Sequence, residues 1–323
     1  MVPSSVVTAQ ILMFITMVLW GSTGNTQKLA KTRFEYYNWG YLTSQLVAAI
    51  IFAATFGMMG SGEKVTDNIM HAQTSAIVLA LVAGVIFAVG DFLIVAAIGI
   101  GGIAVAFSVG MGVATVTGTI LGYIVDPVDS VPLLAAGLVV LVAAIFFESR
   151  ANSKASGKKQ SHLKRALIIA VIGGLLLGCQ FPIADIPMQG AHPLNAYSVL
   201  LLISIGAFVA NFPVNYYFMR KPLGDEPPIR MDGYWHAPLR VHAWSWLGGL
   251  MYNSGFLFSL LAAPLAGAAA AWAFGNGSPL IGILWGLFLW KEFKGVVGAG
   301  KFLAAMFACY TVGLVLIGLS SGI

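Results

Sequence analysis

The sequence predicts an all-α membrane protein of ten transmembrane helices, arranged as 5+5 inverted repeats. Three observations carry that prediction. Of 323 residues, 59% are hydrophobic and 9% charged, with mean hydropathy +0.88, whereas soluble domains carry about a quarter charged residues. The apolar residues fall in runs of about 20, the length that crosses a bilayer. Residues 88–112 return 165 positions later as 253–277, with Gly84/Gly249, Gly90/Gly255, Ala97/Ala262, Gly102/Gly267, Ala104/Ala269, Ala106/Ala271, Gly110/Gly275 and Gly112/Gly277 coinciding.

The runs place helices at 6–29, 37–59, 75–99, 102–124, 131–148, 165–187, 195–219, 242–263, 265–290 and 299–320. The first has no positive leader region and no small-residue cleavage site, so it reads as a span and not as a signal peptide. Five helices per half is an odd number, so homologous halves must lie in opposite orientations. The halves are residues 1–148 and 165–323, joined by a basic linker at 149–164. Loops after the odd-numbered helices hold sixteen of the 17 Lys and Arg residues, and Lys64 alone lies on the other side. That asymmetry predicts a multi-pass protein with both termini outside and the linker in the cytoplasm. Trp235, Trp244, Trp246 and Trp290 suit interfacial anchors. The net charge of +5 is therefore a topology signal and not a nucleic-acid footprint. Cys179 and Cys309 sit in apolar runs and read as core residues, not as a disulfide.

Interrupted segments at corresponding places in two halves point to a transport site. Asp91 lies inside the third run, and its repeat counterpart is Phe256. A carboxylate at that depth is expensive and must face the bundle interior. It is the expected carrier of a coupling proton, with sodium as the other candidate ion, and a neutral packing acid is the competing reading. Trp20, Thr23 and Gln27 share one helix face, which offers an aromatic platform beside polar groups. Helix–helix contact is the bland alternative for that face. Gln180, beside Pro182 in the sixth run, and Tyr252 with Asn253 in the eighth are further binding candidates at mid-span. Asn276 stands in Gly275-Asn276-Gly277-Ser278-Pro279, a stretch expected to disturb its helix. Gly110, Gly112, Gly275, Gly277 and Pro182 are expected to allow close packing or hinge motion, and Asp185 is expected in a solvated vestibule. Asn211 and Asn215, four apart, either line an inner gate or meet headgroups.

The expected function is a secondary active transporter working by alternating access. Its first-choice cargo is a small neutral polar solute such as a monosaccharide, imported with a proton. A ureide or purine-breakdown product is the alternative cargo, and export of lipophilic cations the alternative activity. An enzyme is not expected, because His71, His162, His192, His236 and His242 lie in loops or at helix ends without metal-ligand spacing. No metal and no cofactor is expected. Gly157-Lys158 lacks the upstream glycine and following hydroxyl of a phosphate loop. The expected partners are the solute, the coupling ion and the lipid bilayer, with no nucleic acid, in a monomer or homodimer.

Three stretches carry a resemblance: Gln27-Lys28-Leu29-Ala30-Lys31 running on to Phe34-Glu35-Tyr36-Tyr37-Asn38-Trp39, then Gly248-Gly249-Leu250-Met251-Tyr252, then Gly286-Leu287-Phe288-Leu289-Trp290-Lys291-Glu292. With them the chain resembles the drug/metabolite transporter superfamily, and within it the sugar-uptake and rhamnose–proton symporter branch related to plant ureide permeases. The resemblance implies an importer of the plasma (inner) membrane, with its site between the two halves. In that family an amide often stands where this chain has Asp91, so relatives' coupling does not carry over.

Overall fold

The computed structural model describes residues 5–59, 62–101, 103–156, 163–222 and 226–320. In order, its helices are α1 (Val6–Ala30), α2 (Phe34–Ala54), α3 (Val65–His71), α4 (Thr74–Gly101), α5 (Ile103–Val125), α6 (Val131–Ser156), α7 (Leu163–Asp185), α8 (Ala196–Arg220), α9 (Asp232–Trp235), α10 (Leu239–Ala266), α11 (Ala268–Gly275), α12 (Pro279–Phe288) and α13 (Ala299–Ser320). Nine helical segments among the described residues are long and apolar enough to cross a membrane. The chain is a multi-pass membrane protein.

Local chemistry sets the helix ends. The Ser5 side chain caps α1 by accepting from the Thr8 amide, and Lys31 stops that helix in a left-handed turn at φ 50°. Asn195 caps α8 in the same way as Ser5. The run expected as one span at 265–290 is two short helices. Gly267, at φ +81°, makes the turn into α11, and the chain leaves helix again between α11 and α12 at Asn276 to Ser278. The expected disturbance at that glycine-rich stretch is thus present.

Other boundaries differ from expectation. Helix α6 continues past Glu148 to Ser156, so half of the expected linker is helix. Residues 149–156 contain neither Gly nor Pro, and nothing there stops the turn. Residues 157–162 lie outside the described residues. Helix α7 runs unbroken through Pro182, where a local break was expected.

The principal packing pairs are α1 with α10, α4 with α7, α4 with α8, α2 with α10, α2 with α8, α5 with α7, α5 with α11 and α6 with α13. Small residues let these backbones touch, as in membrane bundles generally. A Cβ on Gly84 of α4 would strike the Ile203 carbonyl of α8, and one on Gly249 of α10 would strike the Tyr41 carbonyl of α2. The α1–α2 and α8–α9 links meet at the base-rich end, where Tyr36 Oη donates to the Arg230 carbonyl at 2.8 Å. At the opposite end Asn68 Nδ2 donates to the Pro193 carbonyl at 3.0 Å.

Candidate functional site

Faces of α2 and α4 converge on Tyr252 of α10. On α4, Phe87, Asp91, Val95 and Ile98 follow one another at helical spacing and share a stripe. On α2, Tyr37 and Tyr41 are one turn apart with their rings stacked at 5.6 Å. Helix α10 brings Tyr252 between them, 5.0 Å from Phe87 and 5.8 Å from Tyr41. Asp91 stands one turn along α4 from Phe87, on the stripe that meets Tyr252. No ion pair compensates Asp91 among the described residues.

Trp20 closes the chamber from α1. Its ring stacks on Tyr252 at 5.2 Å and 10°, and Phe256 lies 6.3 Å away at 20°. The indole Nε1 donates to the Tyr252 carbonyl at 3.1 Å. Trp272 meets Trp20 edge-on at 6.2 Å. Trp272 is itself fixed by its Nε1 bond to the Ala114 carbonyl at 3.1 Å. Near-parallel rings of Trp20, Tyr252 and Phe87 therefore stand beside one acid. The rings stack on one another around Tyr252, and Asp91 offers an acceptor for N–H groups beside them.

The remaining candidates are placed as follows. Thr23 is at the chamber's edge, its hydroxyl donating to the Trp20 carbonyl at 2.7 Å. Asn253 turns away from Trp20: its Nδ2 donates to the Gln45 carbonyl at 2.9 Å, and Ser204 Oγ donates to its Oδ1 at 3.3 Å. Its amide joins α10 to α2 and α8. Asn276 is buried, and its Nδ2 donates to the Trp272 carbonyl at 2.8 Å, closing the end of α11. Gln180 is buried on α7, and its Oε1 has no partner among the described residues. Gly275 backs onto the Trp20 ring and Gly277 onto Leu314 and Met17, while Gly110 packs on Ile94 and the Ala170 carbonyl. Gly112 is different, since an added Cβ would meet only Ile145 at 3.8 Å. Pro182 is buried inside α7.

Four acidic or amide residues are buried. Asp185 is buried, not solvated, and Gln189 Nε2 donates to its Oδ2 at 2.7 Å from the short 3-10 turn that follows α7. Asn211 and Asn215 are also buried. Asn38 Nδ2 donates to Asn211 Oδ1 at 3.2 Å, and Asn215 Nδ2 donates to the Glu35 carbonyl at 3.0 Å, so neither meets headgroups. Glu148, read from sequence as the edge of the linker, is buried between α6 and α13, where Tyr310 Oη donates to its Oε2 at 3.1 Å.

Below the chamber, toward the base-rich end, lies a cavity of about 640 Å³. Its walls include Gln27, Lys31, Arg33 and Glu35 from the first half with Phe218, Pro222 and Glu226 from the second. Val95 and Ile98 also line it, one and two turns along α4 from Asp91. Phe34 meets Phe92 edge-on at 5.2 Å and Phe218 stacks on Phe92 at 5.4 Å, which forms an aromatic cluster in its wall. Arg33 is held here by Glu35, and that hydrogen bond raises the guanidinium above its ordinary value.

Sequence reasoning missed Tyr37, Tyr41, Phe87 and Trp272. A signal existed for two pairs: Tyr37 with Tyr41 and Phe87 with Asp91 are each four apart, so each pair shares a helix face. Which faces look at each other was set by the α2–α10–α4 packing.

Comparison with known proteins adds three findings. Residues 37–170 match the model of the ureide permease family. The chain is 22% identical over 319 residues to Ureide permease 1 of Arabidopsis thaliana, across 79% of this chain and 80% of that protein. A solved crystal structure superposes with a TM-score of 0.64, covering 98% of this chain and 99% of that one, at 14% identity. At that identity the likeness concerns the fold alone.

Proposed function

We propose that this protein is a secondary transporter that carries a small neutral ureide or purine-breakdown product across the plasma membrane by alternating access. The observation that carries the proposal is the chamber of Asp91, Trp20, Tyr37, Tyr41, Phe87 and Tyr252. Residues 37–170, which match the ureide permease model, contribute four of those six side chains. A flat cyclic ureide presents two π-faces to stacked rings and several N–H groups to a carboxylate. A monosaccharide, the first expectation from sequence, lacks both the planar faces and the amide N–H groups. The similarity to a ureide permease also favours the ureide.

The same proposal includes ten spans in two inverted halves, residues 1–148 and 165–323. Exchange of the halves pairs α1 with α7, α2 with α8, α4 with α10, α5 with α11 and α12, and α6 with α13. Under that exchange the α1–α10 contact becomes α7–α4, and α2–α10 becomes α8–α4. The α2–α8, α5–α11 and α6–α13 contacts map onto themselves. Repeated pairing of this kind supports two access states related by symmetry. The base-rich end is proposed as cytoplasmic, with both termini outside.

Asp91 is proposed to carry the coupling proton. An ionised carboxylate in a membrane core is costly, so protonation or a solute N–H lowers the cost of closing the chamber. The test is uptake into proteoliposomes of a labelled cyclic ureide, with a labelled monosaccharide in parallel. The expected result is accumulation of the ureide driven by an imposed proton gradient. Uptake of the sugar alone would reverse the choice of cargo, and uptake of neither would overturn the import reading.

A further inference from the structure

The cavity at the base-rich end has an unusual wall. Arg33 draws on three groups at once. Its Nη2 donates to Glu35 Oε1 at 2.7 Å, its Nε pairs with Glu226 Oε2 at 2.7 Å, and its Nη1 donates to the Pro227 carbonyl at 2.8 Å. The two carboxylates differ in setting. Glu35 is buried, two residues from Arg33, and belongs to the same half. Glu226 is 65% exposed and comes from the other half. The Arg33–Glu35 pair is thus a fixed base, and the Glu226 contact is the removable part.

The removable contact lies on the cavity that leads along Val95 toward Asp91. Several polar ties at this end cross between the halves: Arg33 to Glu226 and Pro227, Tyr36 to Arg230, and Lys28 to Glu292. Among these ion pairs only Arg33–Glu226 has both partners in the cavity wall. An exposed pair of this kind is weak and screened by salt, which suits a contact that must open and close repeatedly.

We propose that the Arg33–Glu226 ion pair is a salt-sensitive latch over the inner mouth of the path to Asp91. Closed, it holds the α1–α2 turn of one half to the segment after α8 of the other. Released, it lets the walls carrying Phe34 and Phe218 part from Phe92, so that the cavity joins the chamber. Glu35 keeps the guanidinium charged and oriented in both states, so the latch re-forms without a search for geometry. The latch rests on the transporter reading for its purpose, but its motion is measurable without any solute.

The experiment places a single thiol on the cavity wall, Val95→Cys, in a Cys179→Ala, Cys309→Ala background. The reconstituted protein is labelled by a membrane-impermeant cationic thiol reagent offered to the base-rich side. Glu226→Gln is expected to speed labelling about three- to five-fold, the change a surface ion pair supports. Raising salt from about 0.05 to 0.5 M is expected to speed labelling with Glu226 present and to leave the Glu226→Gln protein unchanged. Glu292→Gln removes a comparable exposed pair outside the cavity and is expected to leave the rate as it was. An unchanged rate in Glu226→Gln overturns the latch, and so does an equal acceleration in Glu292→Gln, which would indicate general loosening. Failure of ureide uptake with the labelling pattern intact would sink the cargo and leave the latch standing.

Discussion

Trp20 of α1 and Tyr252 of α10 face each other, ring centroids 5.2 Å apart and planes 10° apart, and the indole N–H holds the Tyr252 carbonyl. The contact both joins α1 to α10 and forms a wall of the chamber. Trp20→Phe keeps a ring but loses the hydrogen bond and part of the stacking face. It is expected to raise the KM for ureide about three- to ten-fold, from the worth of an aromatic pair. Trp20→Ala is expected to destabilise the fold by about 3–5 kcal/mol as well. Uptake kinetics and thermal unfolding in detergent separate the two effects. A KM unchanged in Trp20→Phe would remove Trp20 from the solute-binding wall.

Behind the Trp20 ring stands Gly275, and a Cβ there would lie 2.8 Å from the ring. Gly112 on α5, by contrast, has open space up to Ile145 at 3.8 Å. Gly275→Ala is therefore expected to displace Trp20 and cost about 1–3 kcal/mol, the usual effect of overpacking. Gly112→Ala is expected to be silent. The check is thermal unfolding together with intrinsic tryptophan fluorescence. Equal effects from the two substitutions would mean that the Gly275 contact with Trp20 carries no strain.

At the 165-residue offset Asp91 is matched by Phe256, which packs 6.3 Å from Trp20. Asp91→Asn keeps size and hydrogen bonding and removes the charge. Uphill uptake under a proton gradient is expected to fall about 100-fold or more, in the range of losing a proton-transfer group. Exchange of labelled for unlabelled solute across the membrane is expected to persist. Normal uphill uptake in Asp91→Asn would sink the coupling role.

The long helices were legible because apolar runs about 20 residues long have few other uses. The broken segment after Gly267 was legible because glycine and proline interrupt helices for reasons internal to the chain. Glu148 was not legible. Its polar neighbours read as a linker, and composition does not distinguish a linker from a helix that overruns its membrane segment. The direction of Asn253 was hidden for another reason. A mid-span amide needs a partner, but packing alone decided between Gln45 and the chamber. Trp20 and Asp91 were found as single residues, whereas the tyrosines around Asp91 come from helices distant in sequence.

The buried Glu148–Tyr310 pair joins α6 to α13. Tyr310→Phe leaves the carboxylate oxygen without its donor and is expected to cost about 1–3 kcal/mol. Replacing both residues, as Glu148→Leu with Tyr310→Phe, removes the unsatisfied group and is expected to recover most of that loss. Denaturation midpoints of the two variants test this. Ureide KM is expected to stay at the wild-type value in Tyr310→Phe, and a large KM change would mean that this pair communicates with the chamber.

At the end opposite the bases, Asn68 ties α3 to the residues just before α8. Its Nδ2 donates to the Pro193 carbonyl and to Glu63 Oε2, and its Oδ1 accepts from the Asn195 amide at 2.9 Å. His71 Nδ1 lies 2.9 Å from Glu63 Oε1. The bonds from His71 and then Asn68 lower the Glu63 carboxyl from its ordinary value of 4.5. A carboxyl lowered in the folded state stabilises above its unfolded value, and that contribution disappears as pH falls through the folded value. The tie is therefore expected at full strength above about pH 4.5 and to weaken progressively below it. Amide hydrogen exchange at Asn195 is the direct readout. Exchange should accelerate as the pH drops from about 5 to 3, beyond the change in the intrinsic chemical rate, and Glu63→Gln should abolish that excess. An excess that survives in Glu63→Gln would show that another group sets the acid sensitivity of this end.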